Sequence, residues 1–179
     1  MLLFFRKCLL PLACLVLISG CTPAFDWRKV GDAAGVYSAT FPAKPLEATR
    51  EFVIAGETLK LTLHSASAQG AFFAVGSLPL TQEQQVKAPE IIKALQAAMS
   101  NNIAATQSKE RQVMLGARQW TEIRAEGSLG KDKPAVMVGR FVALPGRILE
   151  VIALGERGVM SDEVLDAWFS GFKLERDAL

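Results

Sequence analysis

The sequence predicts an α/β fold: an α/β/α sandwich on a mainly antiparallel sheet of about six or seven strands, with one mid-chain and one C-terminal helix. Three observations carry this. Apolar residues alternate through several short segments separated by Gly- or Pro-containing turns. The period changes to a helical one twice, near residues 89 and 161. Two adjacent strands, 135–144 and 147–155, are apolar on both faces, as strands in the middle of a doubly covered sheet are.

In chain order, 36–41 alternates as a strand and stops at Pro42, and 46–54 is a second strand that turns at Ala55-Gly56. Segment 57–67 is the clearest, with Leu59, Leu61 and Leu63 on one face and Lys60, Thr62 and His64 on the other. Ala68-Gln69-Gly70 turns into an apolar strand over 71–78, and the four strands together predict an antiparallel meander. Pro89 suits a first helical turn and Glu90 suits its dipole. Ile92, Leu95, Met99 and Ile103 then place a helix over 89–105. Strands follow at 109–114 and 117–126, split by Leu115-Gly116, and 127–134 reads as a polar loop. Pro145-Gly146 joins the two central strands. Ser161 reads as an N-cap before Asp162 and Glu163, and Leu165, Trp168, Phe169 and Phe172 form the apolar stripe of a helix closing at Gly171.

The N-terminus has the pattern of an export signal. Arg6 and Lys7 precede an apolar run over 8–18, about eleven residues, where a membrane span needs roughly twenty. Pro11 within it further disfavours a permanent span. The run ends in Ile18-Ser19-Gly20-Cys21, which resembles the lipobox of bacterial lipoproteins. That resemblance implies cleavage before Cys21, a diacylglycerol on its sulfur and an acylated amine. Several acyl chains together hold a protein to a bilayer where one binds only marginally. The second mature residue is Thr22 and not Asp, which favours the outer membrane with the domain facing the periplasm. The expected organisation is a signal over 1–20, a lipidated N-terminus and tether over 21–34, and one domain over 35–179.

Removing 20 of the 179 residues leaves 159, the size of one domain. The signal holds two of the twenty basic residues and none of the acidic ones, so 18 of each sign remain. A formally neutral domain without a basic run argues against nucleic-acid binding, which relies on neutralising phosphates. All three cysteines lie within the first 21 residues, so the domain has no thiol for disulfides or cysteine metal sites.

The order of elements, with Tyr37-Ser-Ala-Thr-Phe-Pro42-Ala-Lys-Pro45, a hairpin through Leu59–Ser67, the mid-chain helix and Trp168-Phe169-Ser-Gly-Phe172, resembles the PsbP-like superfamily over 36–174. That group includes extrinsic photosystem proteins and many bacterial lipoproteins. The resemblance implies an accessory or binding module, and no site is carried over by it.

Catalytic patterns are sparse. His64 is the single histidine; its neighbours Ser65 and Ser67 form no Gly-x-Ser-x-Gly elbow, and its face predicts a solvated position. No Asp-rich loop resembles a calcium site, Asp132 reads as turn chemistry, and Gly127-Ser-Leu-Gly130 lacks the end of a phosphate loop. No metal or cofactor is expected. Two polar features remain. Arg140 and Glu150 interrupt the central hairpin and form an ion pair if its turn holds three residues. Trp120, Glu122, Arg124 and Glu126 share one strand face, an exposed surface on which Trp120 could anchor a partner.

These features predict a lipid-tethered, non-catalytic binding or assembly module for another envelope protein. The alternative is a carrier or sensor of an apolar small ligand, which an enclosed apolar pocket would distinguish.

Overall fold

In the computed structural model the described residues are 26–130 and 133–175. The expected signal, Cys21 and Asp132 lie outside them. The strands are β1 (Arg28–Gly31), β2 (Tyr37–Phe41), β3 (Leu46–Ile54), β4 (Glu57–Ala68), β5 (Ala71–Pro79), β6 (Gln107–Leu115), β7 (Arg118–Leu129), β8 (Lys133–Leu144), β9 (Arg147–Glu156) and β10 (Lys173–Leu174). The helices are α1 (Gln82–Val86), α2 (Ala88–Asn102) and α3 (Asp162–Ser170).

Seven strands form one antiparallel sheet in the order β3-β4-β5-β9-β8-β7-β6. Hairpin chemistry builds it. Ala55-Gly56 and Gln69-Gly70 are two-residue loops with positive φ at both positions (50° and 75°; 52° and 78°), the geometry that matches the strands' twist. The β8–β9 pair, apolar on both faces, occupies the middle beside β5 and is buried over most of its length. The edges β3 and β6 expose their first six residues, which include Glu47, Arg50 and Glu51 on one and Lys109, Glu110 and Arg111 on the other. Charged edges resist pairing with further strands.

Side chains alternate between two hydrophobic clusters, one on each side of the sheet. Ala74, Met137, Phe141, Ile148 and Ile152 join Ala88, Ile91 and Leu95 of α2. Phe73, Val75, Trp120, Val138 and Val151 join Leu165, Trp168 and Phe169 of α3, together with Tyr37, Ala39 and Phe41 of β2. Trp168 lies 5.1 Å from Phe41 and 5.4 Å from Phe73, ring centre to ring centre.

Several expectations are corrected. Segment 36–41 is not the first strand of a meander: β2 pairs with β1 and β10 in a separate three-stranded sheet. That sheet is tied to the end of α3 by Thr40 N–H donating to Gly171 O (3.1 Å) and Glu175 N–H to Val36 O (2.9 Å). The tether expected over 21–34 therefore contains β1, which pairs with β2 from Arg28 to Gly31. The loop expected over 127–134 is shorter, because β7 runs to Leu129 and β8 begins at Lys133. A further helix, α1, is set by a capping box in which Thr81 and Gln84 satisfy each other's backbone amides. At α3, Ser161 accepts from Val164 N–H, as its reading as an N-cap requires.

Candidate functional site

On the α3 side, three adjacent strands place Arg111, Glu122 and Arg140 in one row, because Glu122 is the direct cross-strand neighbour of both arginines. Glu122 is only 4% exposed. Its Oε1 accepts from Arg111 Nε (2.6 Å) and its Oε2 from Arg140 Nε (2.7 Å). Burial pushes this carboxyl up, but the hydrogen bonds and charges of the two arginines outweigh it and hold it below the ordinary range. The Arg140 guanidinium also lies 3.9 Å from the centre of the Phe169 ring, a cation–π contact that fixes it against α3.

The next row holds Lys109 directly opposite Arg124. Like charges in that position repel. The row lines a cleft of about 630 Å³, with Lys109, Glu110, Arg111, Glu122, Arg124 and Arg140 on its strand wall and Asp162 and Asp166 on its α3 wall. Further along the same face, Glu126 accepts from Arg157 (2.6 Å).

This arrangement divides the face that the sequence presented as one surface. Glu122 and Arg124 line the cleft, but Trp120 does not reach solvent: it is 0% exposed and lies edge-on to Phe172 at 5.5 Å. The expected aromatic anchor is a core residue, because α3 and the segment after it cover the near end of β7. The expected Arg140–Glu150 pair does not form either. The Pro145-Gly146 loop holds two residues, not three, so Arg140 is opposite Val151 and Glu150 is opposite Phe141. A one-residue change of register turns a side chain to the other face. Pro145 followed by Gly146 at φ 73° is the sequence that a two-residue type II turn takes.

Glu150 consequently lies alone on the α2 side, 1% exposed, with Oε2 lacking a hydrogen-bond partner. It packs over the bare backbone of its cross-strand neighbour Gly76, where a Cβ would come within 2.5 Å of Oε1. Burial pushes its carboxyl up to about 7. Beside it is a pocket of about 190 Å³ between α2 and strands β4, β5, β8 and β9, otherwise lined mainly by apolar residues.

His64 departs from its expected solvated position. It is 8% exposed, with Nδ1 2.8 Å from the Tyr37 hydroxyl and Nε2 2.9 Å from Glu47 Oε2. A carboxylate only accepts, so Nε2–H donates to Glu47 and Nδ1 accepts from Tyr37 in the neutral ring. Burial first, then the charges of Asp32 and Glu47, raises the Tyr37 hydroxyl pKa well above its ordinary value. Strand alternation placed His64 with Lys60 and Thr62, and the later covering of that end by β2 was not readable from β4 alone. The pairing of Glu150 with Gly76 depends on β5 lying beside β9, a contact between strands distant in sequence.

Among the described residues no helix is long and apolar enough to cross a membrane, and no group of three or more His, Cys, Asp or Glu side chains is placed to hold a metal ion. No protein-family model matches the chain, and no curated protein matches it in sequence.

Proposed function

We propose that the chain is a lipid-anchored envelope protein of the PsbP-like superfamily whose domain docks another envelope protein without catalysis of its own. Its anchor is acylated Cys21 and its place is the outer membrane, facing the periplasm. The observation that carries the docking reading is the Lys109–Arg124 row in the cleft, where neither cation forms an ion pair among the described residues. Glu110, Asp162 and Asp166 line the same cleft, so the anionic group is favoured at this pair of cations alone, and the partner presents an acidic side chain there. Arg140, fixed by Glu122 and Phe169, gives the cleft a rigid floor. Tethering to the same membrane raises the partner's effective concentration, so a modest interface suffices. The finer architectural reading, a helical layer on each side of the sheet as in an α/β/α sandwich, is supported by the two clusters that α2 and α3 join.

The test is a photo-crosslinking residue at position 124 in the full chain, irradiated in intact cells. One envelope protein should be captured, and capture should fall at least tenfold with Lys109→Glu. No crosslink above that of a residue on the exposed outer face of β3 ends this reading. Cys21→Ser should release the chain from the membrane fraction, and unchanged membrane retention refutes the anchor. A second reading, carriage of an apolar small molecule, is favoured by the pocket beside Glu150.

A further inference from the structure

We propose that the pocket under α2 takes a small apolar molecule whose one polar end donates a hydrogen bond to Glu150: an alkyl or aryl alcohol or amine. The inference rests on the second reading above and is independent of the tether and the cleft.

Size sets the first limit. The pocket measures about 190 Å³, and a dry cavity of about 150 Å³ is enough to bind benzene. A ring or a chain of about six carbons fits. Leu61, Leu63, Phe72 and Leu154 supply apolar wall. Met99 of α2 and Met137 of β8 both line it, and thioethers adapt their shape to an occupant more readily than branched side chains do.

The polar end follows from Glu150. Among the described residues it is the one ionisable side chain lining the pocket, where Asn102 at the end of α2 is the other polar one, and its Oε2 is buried and unpartnered. A carboxyl group accepts a hydrogen bond whether or not it is ionised, and it donates only when protonated. A ligand that donates therefore satisfies Glu150 in both states, whereas a carboxylate-headed ligand, which only accepts, is matched only while Glu150 keeps its proton and meets a second negative charge once it ionises. The missing Cβ of Gly76 leaves the space that Oε1, Cγ and Cδ of Glu150 occupy.

The full chain labelled with ¹³C-methyl methionine provides the test. Met99 and Met137 line the pocket, while Met114 is exposed on an edge strand and Met160 belongs to the cluster on the opposite face. Hexan-1-ol or hexylamine should shift the Met99 and Met137 methyls saturably and leave Met114 and Met160 in place. Benzene and hexanoate should bind at least tenfold more weakly than the better donor. Glu150→Leu should remove that preference, and Glu150→Gln should weaken hexylamine at pH 8 while sparing hexan-1-ol, which separates amine from alcohol. Equal binding of benzene and both donors overturns the role given to Glu150 but leaves an apolar carrier standing. No response of Met99 or Met137 to any of the four probes removes both. The comparison among probes needs only the unsubstituted chain, so an unstable variant does not block it.

Discussion

The two sides of the sheet each bury one glutamate, Glu122 toward α3 and Glu150 toward α2, at 4% and 1% exposure. Their chemistry is opposite. The carboxyl of Glu122 is flanked by two arginines and held below the usual range, while among the described residues no cation pairs with Glu150, whose carboxyl burial pushes up to about 7. Burial alone therefore does not determine whether a carboxyl is charged. The cross-strand neighbours do: arginines on both sides in one case, glycine and phenylalanine in the other. The charged site is built for rigidity and for display at an open cleft. The uncharged site is a destabilised position kept in the core.

Substitutions at these two glutamates and at Gly76 sharpen or break that contrast. Glu122→Ala carries the largest expected effect, because it strands Arg140 at 17% side-chain exposure without its acceptor. Breaking a buried pair from one side costs about 3 kcal/mol, read as a lower urea midpoint at pH 7. The folded pKa of Glu122 lies below its ordinary value, so its contribution is present above that value and lost on acidification. The gap between variant and unsubstituted chain should thus close as pH falls toward 3. A gap that does not vary with pH would mean the row contributes packing and not charge.

Glu150→Gln should act in the other direction. The folded carboxyl holds its proton to about pH 7, whereas its ordinary value is 4.5. Folding stability therefore declines as pH rises from about 4.5 to about 7 and stays lowered above that. A shift of this size corresponds to about 3 kcal/mol. Glutamine does not ionise, so the variant should match the unsubstituted chain at pH 4 and exceed it at pH 8, as seen in paired thermal melts. Equal stability at both pH values would show that Glu150 already has a cationic partner or ready access to water. Gly76→Ala should cost about 2 kcal/mol, because the new methyl overlaps Oε1, Cγ and Cδ of Glu150 and something must shift. In Glu150→Ala the overlap is gone, so the same glycine change should become nearly silent. A double-mutant cycle measures this directly.

The contrast also explains what was legible in the sequence. Strand β4 was readable from its apolar alternation, and β5, β8 and β9 from apolar runs bounded by turn residues, because in each the strand's own side chains carry the signal. β1, with the sequence Arg28-Lys-Val-Gly31, has no such pattern and is a strand only because β2 lies beside it. Trp120 was misplaced for a related reason. The alternation that sets it on the same face as Glu122 and Arg124 is correct, but α3 and the residues after it cover one end of that face and leave the other open. The supposed Arg140–Glu150 pair depended on a single loop residue, and strand periodicity carries no information on loop length. Tertiary cover and register are set by partners distant in sequence, and the candidate sites depend on both.

His64 supplies the smallest test, and it separates a polar link that holds two sheets together from one that merely satisfies a buried ring. The Tyr37 hydroxyl is its contact from the small sheet, and Glu47 is its contact from the main-sheet edge. Tyr37→Phe keeps the stacking on Phe172, 5.6 Å away, and removes only the hydroxyl. The loss should be about 1 kcal/mol, the net worth of one buried neutral hydrogen bond. If the link joins the sheets, backbone amides of β2 should exchange faster in the variant while those of β8 and β9 keep their protection, since the small sheet can open without the central strands. Equal acceleration in β2 and β9 would instead place Tyr37 within the same cooperative unit as the buried glutamates, and the α3 side would then open as one body.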